Sequence, residues 1–205
     1  MSLPNEIAAK AEEIVNSLTQ TDYQHKDNID PSTGVYDCDC NGFVGFVLQN
    51  TAPNHLARIP KESDQPRPRA FEYFTFFASL IPSSAGDWKR VDLLKDANRG
   101  DIVAWRFPTL EAHTDTGHVV ILAEAPKLAP SGDFFTVRVY DSALEAHFDD
   151  TRKPGGSPSP KGATGVGSGI LNFKVDGAGR PLAYLFAPPL TAQYSYRTIA
   201  IGRAV

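Results

Sequence analysis

The 205-residue sequence has only two cysteines, Cys38 and Cys40, with one residue between them. Side chains two apart in an extended segment point to opposite sides, so these two do not pair and no disulfide framework exists. No stretch approaches the roughly 20 consecutive apolar residues of a membrane span. Cationic surplus is also missing: 20 Lys and Arg stand against 24 Asp and Glu, for a formal net charge of −4 and a pI near 5.7. The cations are scattered, which leaves no basic field for nucleic acid. Met1-Ser2-Leu3-Pro4 has neither the basic nor the apolar region of a secretory leader, so the chain is expected either to be cytoplasmic or to begin after a removed leader. No internal repeat is visible. The glycine stretch Gly162 to Gly169 is followed by Ile170-Leu171-Asn172-Phe173, which reads as a strand, and not by the Gly-Lys-Ser/Thr and helix start of a phosphate cradle.

What is present is an ordinary globular composition, 41% hydrophobic and 21% charged, enough for a substantial core in one domain over residues 1–205. The most informative run is Tyr36-Asp37-Cys38-Asp39-Cys40-Asn41-Gly42-Phe43-Val44. Cys40, Phe43, Val44, Val47 and Leu48 recur at helical spacing and form one apolar stripe, which places Cys40 in the first turn of a helix and turns it inward. Asp39 is suited to the N-cap, because its carboxylate accepts from first-turn N–H groups. A cysteine there faces unpaired amides and the positive end of the helix dipole, which predicts a lowered thiol pKa and a nucleophilic thiolate. Cys38 precedes the helix and reads as a bystander.

Further along, Thr116-Gly117-His118-Val119-Val120-Ile121-Leu122 reads as a strand opened by a histidine, the natural base for Cys40. Residues 134–141 alternate as a second strand, and the intervening Pro126 to Asp133 is a loop, so the two strands form an antiparallel hairpin. With the loop centred on Ala129-Pro130, Leu122 faces Val137 and His118 faces Asp141, whose carboxylate would fix the imidazole in one tautomer.

Asp39-Cys40-Asn41-Gly42-Phe43-Val44 resembles the nucleophile helix of the NlpC/P60 peptidases, usually Asp-Cys-Ser-Gly-Phe-Val, with Asn41 in place of the serine. Gly100-Asp101-Ile102-Val103 and Gly117-His118-Val119-Val120-Ile121 are similar to the same family's Gly-Asp-Leu-Val and Gly-His-Val-Gly-Ile strands, in the same order. The resemblance spans roughly residues 36 to 142. It implies a papain-like α+β fold in which N-terminal helices, the nucleophile helix among them, pack on an antiparallel sheet of about six strands. It also implies a Cys40-His118-polar triad cleaving amide bonds in bacterial cell-wall peptides, with no cofactor and an extracytoplasmic setting. Tyr36 resembles a tyrosine lining many sites of this family, and Tyr36, Asp39 and Asn41 are expected to contact substrate. Acyl transfer, deamidation and a non-catalytic wall-binding module of the same fold are the alternatives.

The chemical rival is a metal site, since His113, Asp115 and His118 cluster in one loop and Cys38 and Cys40 offer thiolates. The Cys-x-Cys spacing is not that of a zinc knuckle and no second cysteine pair exists, so no metal is assigned. Elsewhere, a helix capped by Asn5 is expected over 6–18 and an aromatic helix over 69–80. Residues 1–35 read as an N-terminal helix and lead-in, 152–169 as a mobile Gly/Pro-rich loop carrying Arg152, Lys153 and Lys161, and 170–205 as further strands.

Overall fold

A computed structural model of the protein describes residues 1–83, 86–110, 115–152, 164–187 and 192–205. In chain order the elements are α1 (Leu3–Ser17), β1 (Gln20–Asp22), β2 (Asn28–Asp30), β3 (Val35–Asp37), α2 (Cys40–Thr51), α3 (Pro53–Leu56) and α4 (Ala70–Ser79). There follow β4 (Trp88–Arg90), a 3-10 turn (Leu94–Asp96), β5 (Ile102–Arg106), β6 (Gly117–Leu122), β7 (Lys127–Leu128) and β8 (Phe135–Ala143). The chain closes with β9 (Gly165–Val175), β10 (Pro181–Leu185), β11 (Ser195–Tyr196) and β12 (Ile199–Ala204).

The class is α+β. The main sheet is antiparallel and runs β11-β10-β9-β8-β6-β5-β12-β4, with β7 added on β8, making nine strands where about six were expected. All six expected strands are there; the excess comes from β4, β7 and β11, each too short to show a period-2 signal. A second, three-stranded sheet, β1-β3-β2, occupies the lead-in after the N-terminal helix, where no strand is expected, and ends at Asp37. The first helix begins at Leu3, with Ser2 at the cap position and Pro4 in the opening turn, rather than at Asn5. Proline's fixed φ suits that turn, and its missing N–H is one that the helix would leave unpaired anyway.

Alternation on the central strands builds two apolar layers. Ile102, Ala104, Val119, Ile121 and Tyr140 face a core shared with α1, α2 and α4, where Ile7, Ile14, Phe43, Val47, Tyr73 and Phe77 are buried. Val103, Trp105, Val120, Leu122, Val137, Val139, Leu171 and Phe173 form the other layer, together with Tyr184 from β10. His118 has the parity of Val120, and Asp141 that of Val139, so both belong to this second face.

The register of β6 on β8 places the site. The pairs are Ile121↔Tyr140 and Leu122↔Val139, two residues away from the expected Leu122↔Val137. The linking segment is not a plain loop: Lys127 and Leu128 pair with Thr136 and Phe135 as β7, which consumes residues the simple hairpin left in its loop. A shift of two preserves the face of every side chain, so Asp141 still lies on the face of His118. The β6–β8 ladder stops at Ile121↔Tyr140, beyond which β8 continues paired only to β9.

Candidate functional site

The start of α2 fills the fork where β6 and β8 separate. Ser142 on β8 donates from its hydroxyl to the carbonyl of Cys38 at 2.6 Å, and Cys38 N–H donates to Asp22 O at 3.0 Å. These bonds fix the segment entering the helix. The N–H of Val119, directed away from β5, reaches the Cys40 sulfur. Cys40 is 2% exposed and lines a cavity of about 340 Å³ together with Asp39, Asn41, Arg67, Thr116 and Gly117.

Asp39 caps α2 as expected, its Oδ1 accepting from Gly42 N–H at 2.7 Å. The same carboxylate takes Arg67 Nη2 at 2.8 Å and lies 3.2 Å from His25 Nδ1. Asn41 also lines the cavity, and its Oδ1 accepts the Cys40 thiol at 3.7 Å. The cap has a consequence that the sequence reading inverted. It occupies a first-turn amide that was assigned to the sulfur and puts a negative charge beside it. Burial foremost, then the Asp39 carboxylate, push the Cys40 thiol well above its ordinary value, against a smaller opposing pull from the Val119 N–H. Both influences favour the neutral thiol over the thiolate. Cys38 is fully buried and, chiefly through burial, is also pushed up.

His118 sits at the mouth of β6. Gly117, at φ +149°, has no room for a side chain, since a Cβ there would lie 2.0 Å from Trp105 O. This close approach sets the imidazole against the Trp105 ring, with centroids 5.2 Å apart, and Phe186 meets its other side edge-on, also at 5.2 Å. His118 Nε2 is 2.6 Å from Asp141 Oδ2. Asp141 is fully buried. Burial alone would raise its carboxyl, but the charges of His147 and Arg152 and the bonds from both imidazoles hold it well below the usual carboxylate range. An ionised Asp141 only accepts, so Nε2 of His118 is the donor in this bond, which in a neutral ring leaves Nδ1 as the acceptor. No direct Cys40–His118 hydrogen bond exists among the described residues; the two meet through Val119 and through the cavity walls. His118 opens on an adjoining cavity of about 260 Å³ that shares Asp115 and Gly117 with the first.

Cys40, His118, Asp141, Asp39 and Asn41 therefore come together, but Tyr36 does not. Its ring packs edge-on against Phe46, 5.6 Å between centroids, inside the core beside α1, because the parity of β3 turns it toward the helices. The tyrosines that line the His118 cavity are Tyr23, which donates to Asp115 at 3.3 Å, and Tyr184. As for the metal ligands, Asp115 is engaged by Tyr23 and His25, and among the described residues no group of three or more His, Cys, Asp or Glu side chains is arranged to hold a metal ion. His113 lies outside the described residues.

Two residues beside Asp141 carry no periodic or motif signal in the sequence. His147 Nε2 lies 2.9 Å from Asp141 Oδ2, and Arg152 Nη2 lies 2.9 Å from Asp141 Oδ1. Arg152 was assigned to a mobile loop; it is instead buried, clamped by Asp150 through Nε at 2.9 Å and Nη2 at 2.8 Å. Gly165 to Gly169, read as the end of that loop, belong to β9, and residues 153–163 lie outside the described residues. The only cue was chemical: His147, Asp150 and Arg152 crowd into a short interval between two strands.

No family model, curated protein or solved structure matches this chain. Among the described residues no helix is long and apolar enough to cross a membrane.

Proposed function

We propose that the protein is a cysteine hydrolase of papain-like, NlpC/P60-type fold, in which Cys40 attacks an amide carbonyl and His118 is its base. The observation carrying this reading is the His118–Asp141 bond: by taking Nε2–H it leaves Nδ1 as the proton acceptor, in a residue whose neighbour Val119 touches the sulfur. As the S–C bond forms, the thiol proton passes to Nδ1. The oxyanion lies within reach of the Cys40 N–H, a first-turn amide with no acceptor in its own helix. His118 returns the proton to the leaving amine, and water then hydrolyses the thioester. By resemblance the proposed substrate is a peptidoglycan stem peptide and the proposed setting is extracytoplasmic.

The burial of Cys40 favours a second reading, a wall-binding module that retains the fold. Release of new amines from purified muropeptides separates the two. Release that disappears in Cys40→Ala while binding persists supports the hydrolase, and equal release by the variant sinks it. If stem peptides are inert, amidase, transferase and deamidase substrates come next, with Cys40 labelling showing whether the thiol is reactive at all.

A further inference from the structure

Both ring nitrogens of His147 face groups that can only accept. Nδ1 is 2.9 Å from Phe186 O, and Nε2 is 2.9 Å from Asp141 Oδ2. A neutral imidazole has one N–H and would leave a lone pair against one of these oxygens, whereas the imidazolium donates to both. The ring is buried, with Phe186 edge-on at 4.4 Å. The charged groups around it are Asp141 on β8, Asp150, whose Oδ2 accepts the His147 backbone N–H at 2.7 Å, and Arg152, which binds both carboxylates. With His147 positive the cluster balances: His147 and Arg152 against Asp141 and Asp150. A further positive charge on His118 would have to share Asp141 Oδ2 with the one already there.

We propose that His147 is a positioning residue, held as an imidazolium, which with Arg152 offsets Asp141 and keeps the Cys40–His118 pair as neutral thiol and imidazole until a substrate carbonyl draws the proton across. This rests on the hydrolase reading and adds a different mode of action to it. The negative groups acting on the sulfur, Asp39, then Asp141 and Asp115, work in the same direction, and the pull of Asp141 on the thiol is weaker than its 2.6 Å hold on His118. His118 then acts as a general base during attack and no standing thiolate is present. Such a site labels slowly with a simple alkylating agent in its resting state.

The test is labelling of Cys40 by iodoacetamide against pH in the full chain, with Cys38→Ala as background, for the parent, His147→Gln and His118→Ala. Glutamine keeps a donor toward Asp141 and removes the charge. Asp141 then supports a positive His118 more strongly, so at pH 6.5 His147→Gln is expected to label at least about threefold faster, equivalent to half a pKa unit. A merely structural role would leave the rate unchanged or lower it, and either result in a folded variant overturns the proposal. If the variant does not fold, nitrogen NMR of ring-labelled histidine in the unaltered protein decides. Two ring protons on His147 and one, on Nε2, on His118 near neutral pH are expected, and a singly protonated His147 overturns the inference. Labelling that ignores His118→Ala defeats the hydrolase reading instead, a different outcome from a His147→Gln that fails to accelerate while His118 still matters.

Discussion

His118 and Asp141 meet at 2.6 Å across the point where β6 and β8 part, not as a directly opposed pair on a continuous ladder. The carboxylate is consequently free of cross-strand packing on one side, and that side is filled by His147 and Arg152. Asp141 is thus an anchor of the fold as well as the orienter of the proposed base. Removing one partner of a buried ionic cluster strands the others, so Asp141→Asn should lose about 3–5 kcal/mol at neutral pH. Because the native carboxyl is held below its unfolded value, its contribution is complete above about pH 4 and is lost as pH falls through the lower native value. Denaturant titrations of both proteins from pH 7 to pH 3 should therefore show the gap narrowing in the acid range; a constant gap would refute the assignment of a depressed carboxyl. Cys40 labelling at pH 7 should also be slower in the variant, since His118 loses the charge that supports its protonated form.

The glycines of β9 supply a second prediction. A Cβ on Gly167 would lie 2.7 Å from Arg152 Nε and 2.8 Å from its Cγ, and one on Gly169 would lie 2.5 Å from Asp150 Oδ2. Gly167→Ala has to displace a buried guanidinium held by four hydrogen bonds, two to Asp150 and one each to Asp141 and Gly165 O, so a loss of about 1–3 kcal/mol is expected from overpacking. Thermal or denaturant unfolding checks it. Gly177→Ala, in a turn where an added Cβ meets nothing within 4 Å, is the control and should be neutral within about 0.5 kcal/mol.

These glycines show where sequence reading ends. The nucleophile helix was legible because Cys40, Phe43, Val44, Val47 and Leu48 bury one stripe, and β5, β6, β8 and the second half of β9 because their apolar runs have strand period. In the first half of β9, by contrast, Gly165, Gly167 and Gly169 carry no side chain to alternate, so a strand shaped by the bulk of Arg152 and Asp150 resembles a low-complexity loop. The face shared by His118 and Asp141 was legible, but their register was not, because a two-residue strand, β7, leaves no period to detect. Nothing periodic marks His147 either, since its partners come from β8, the chain after β10 and its own turn. Tyr36 was misplaced for the opposite reason: a motif assigned it, and strand parity turned it away.

Tyr36 can be tested against that assignment. With its ring against Phe46, Tyr36→Ala should cost about 3–5 kcal/mol, as other large-to-small core changes do. Tyr36→Phe keeps the packing, and Cys40 labelling in that variant should match the parent across the pH range. A labelling change confined to the loss of the hydroxyl would return Tyr36 to the site.

Asp39 separates capping from charge. Asparagine is as good an N-cap as aspartate, so Asp39→Asn should keep α2 stable, while Asp39→Ala should cost about 1 kcal/mol through the lost bond to Gly42 N–H. Their effects on the thiol should coincide, because both remove the carboxylate that, after burial, does most to raise Cys40, and both release Arg67 from one of its two carboxylate partners. Labelling of Cys40 near pH 7 should accelerate in both variants, and the labelling curve should move to lower pH. The direction matters more than the size. Slower labelling in Asp39→Asn would mean that the cap stabilises the thiolate through helix geometry, and that the carboxylate does not hold the resting sulfur in its neutral form.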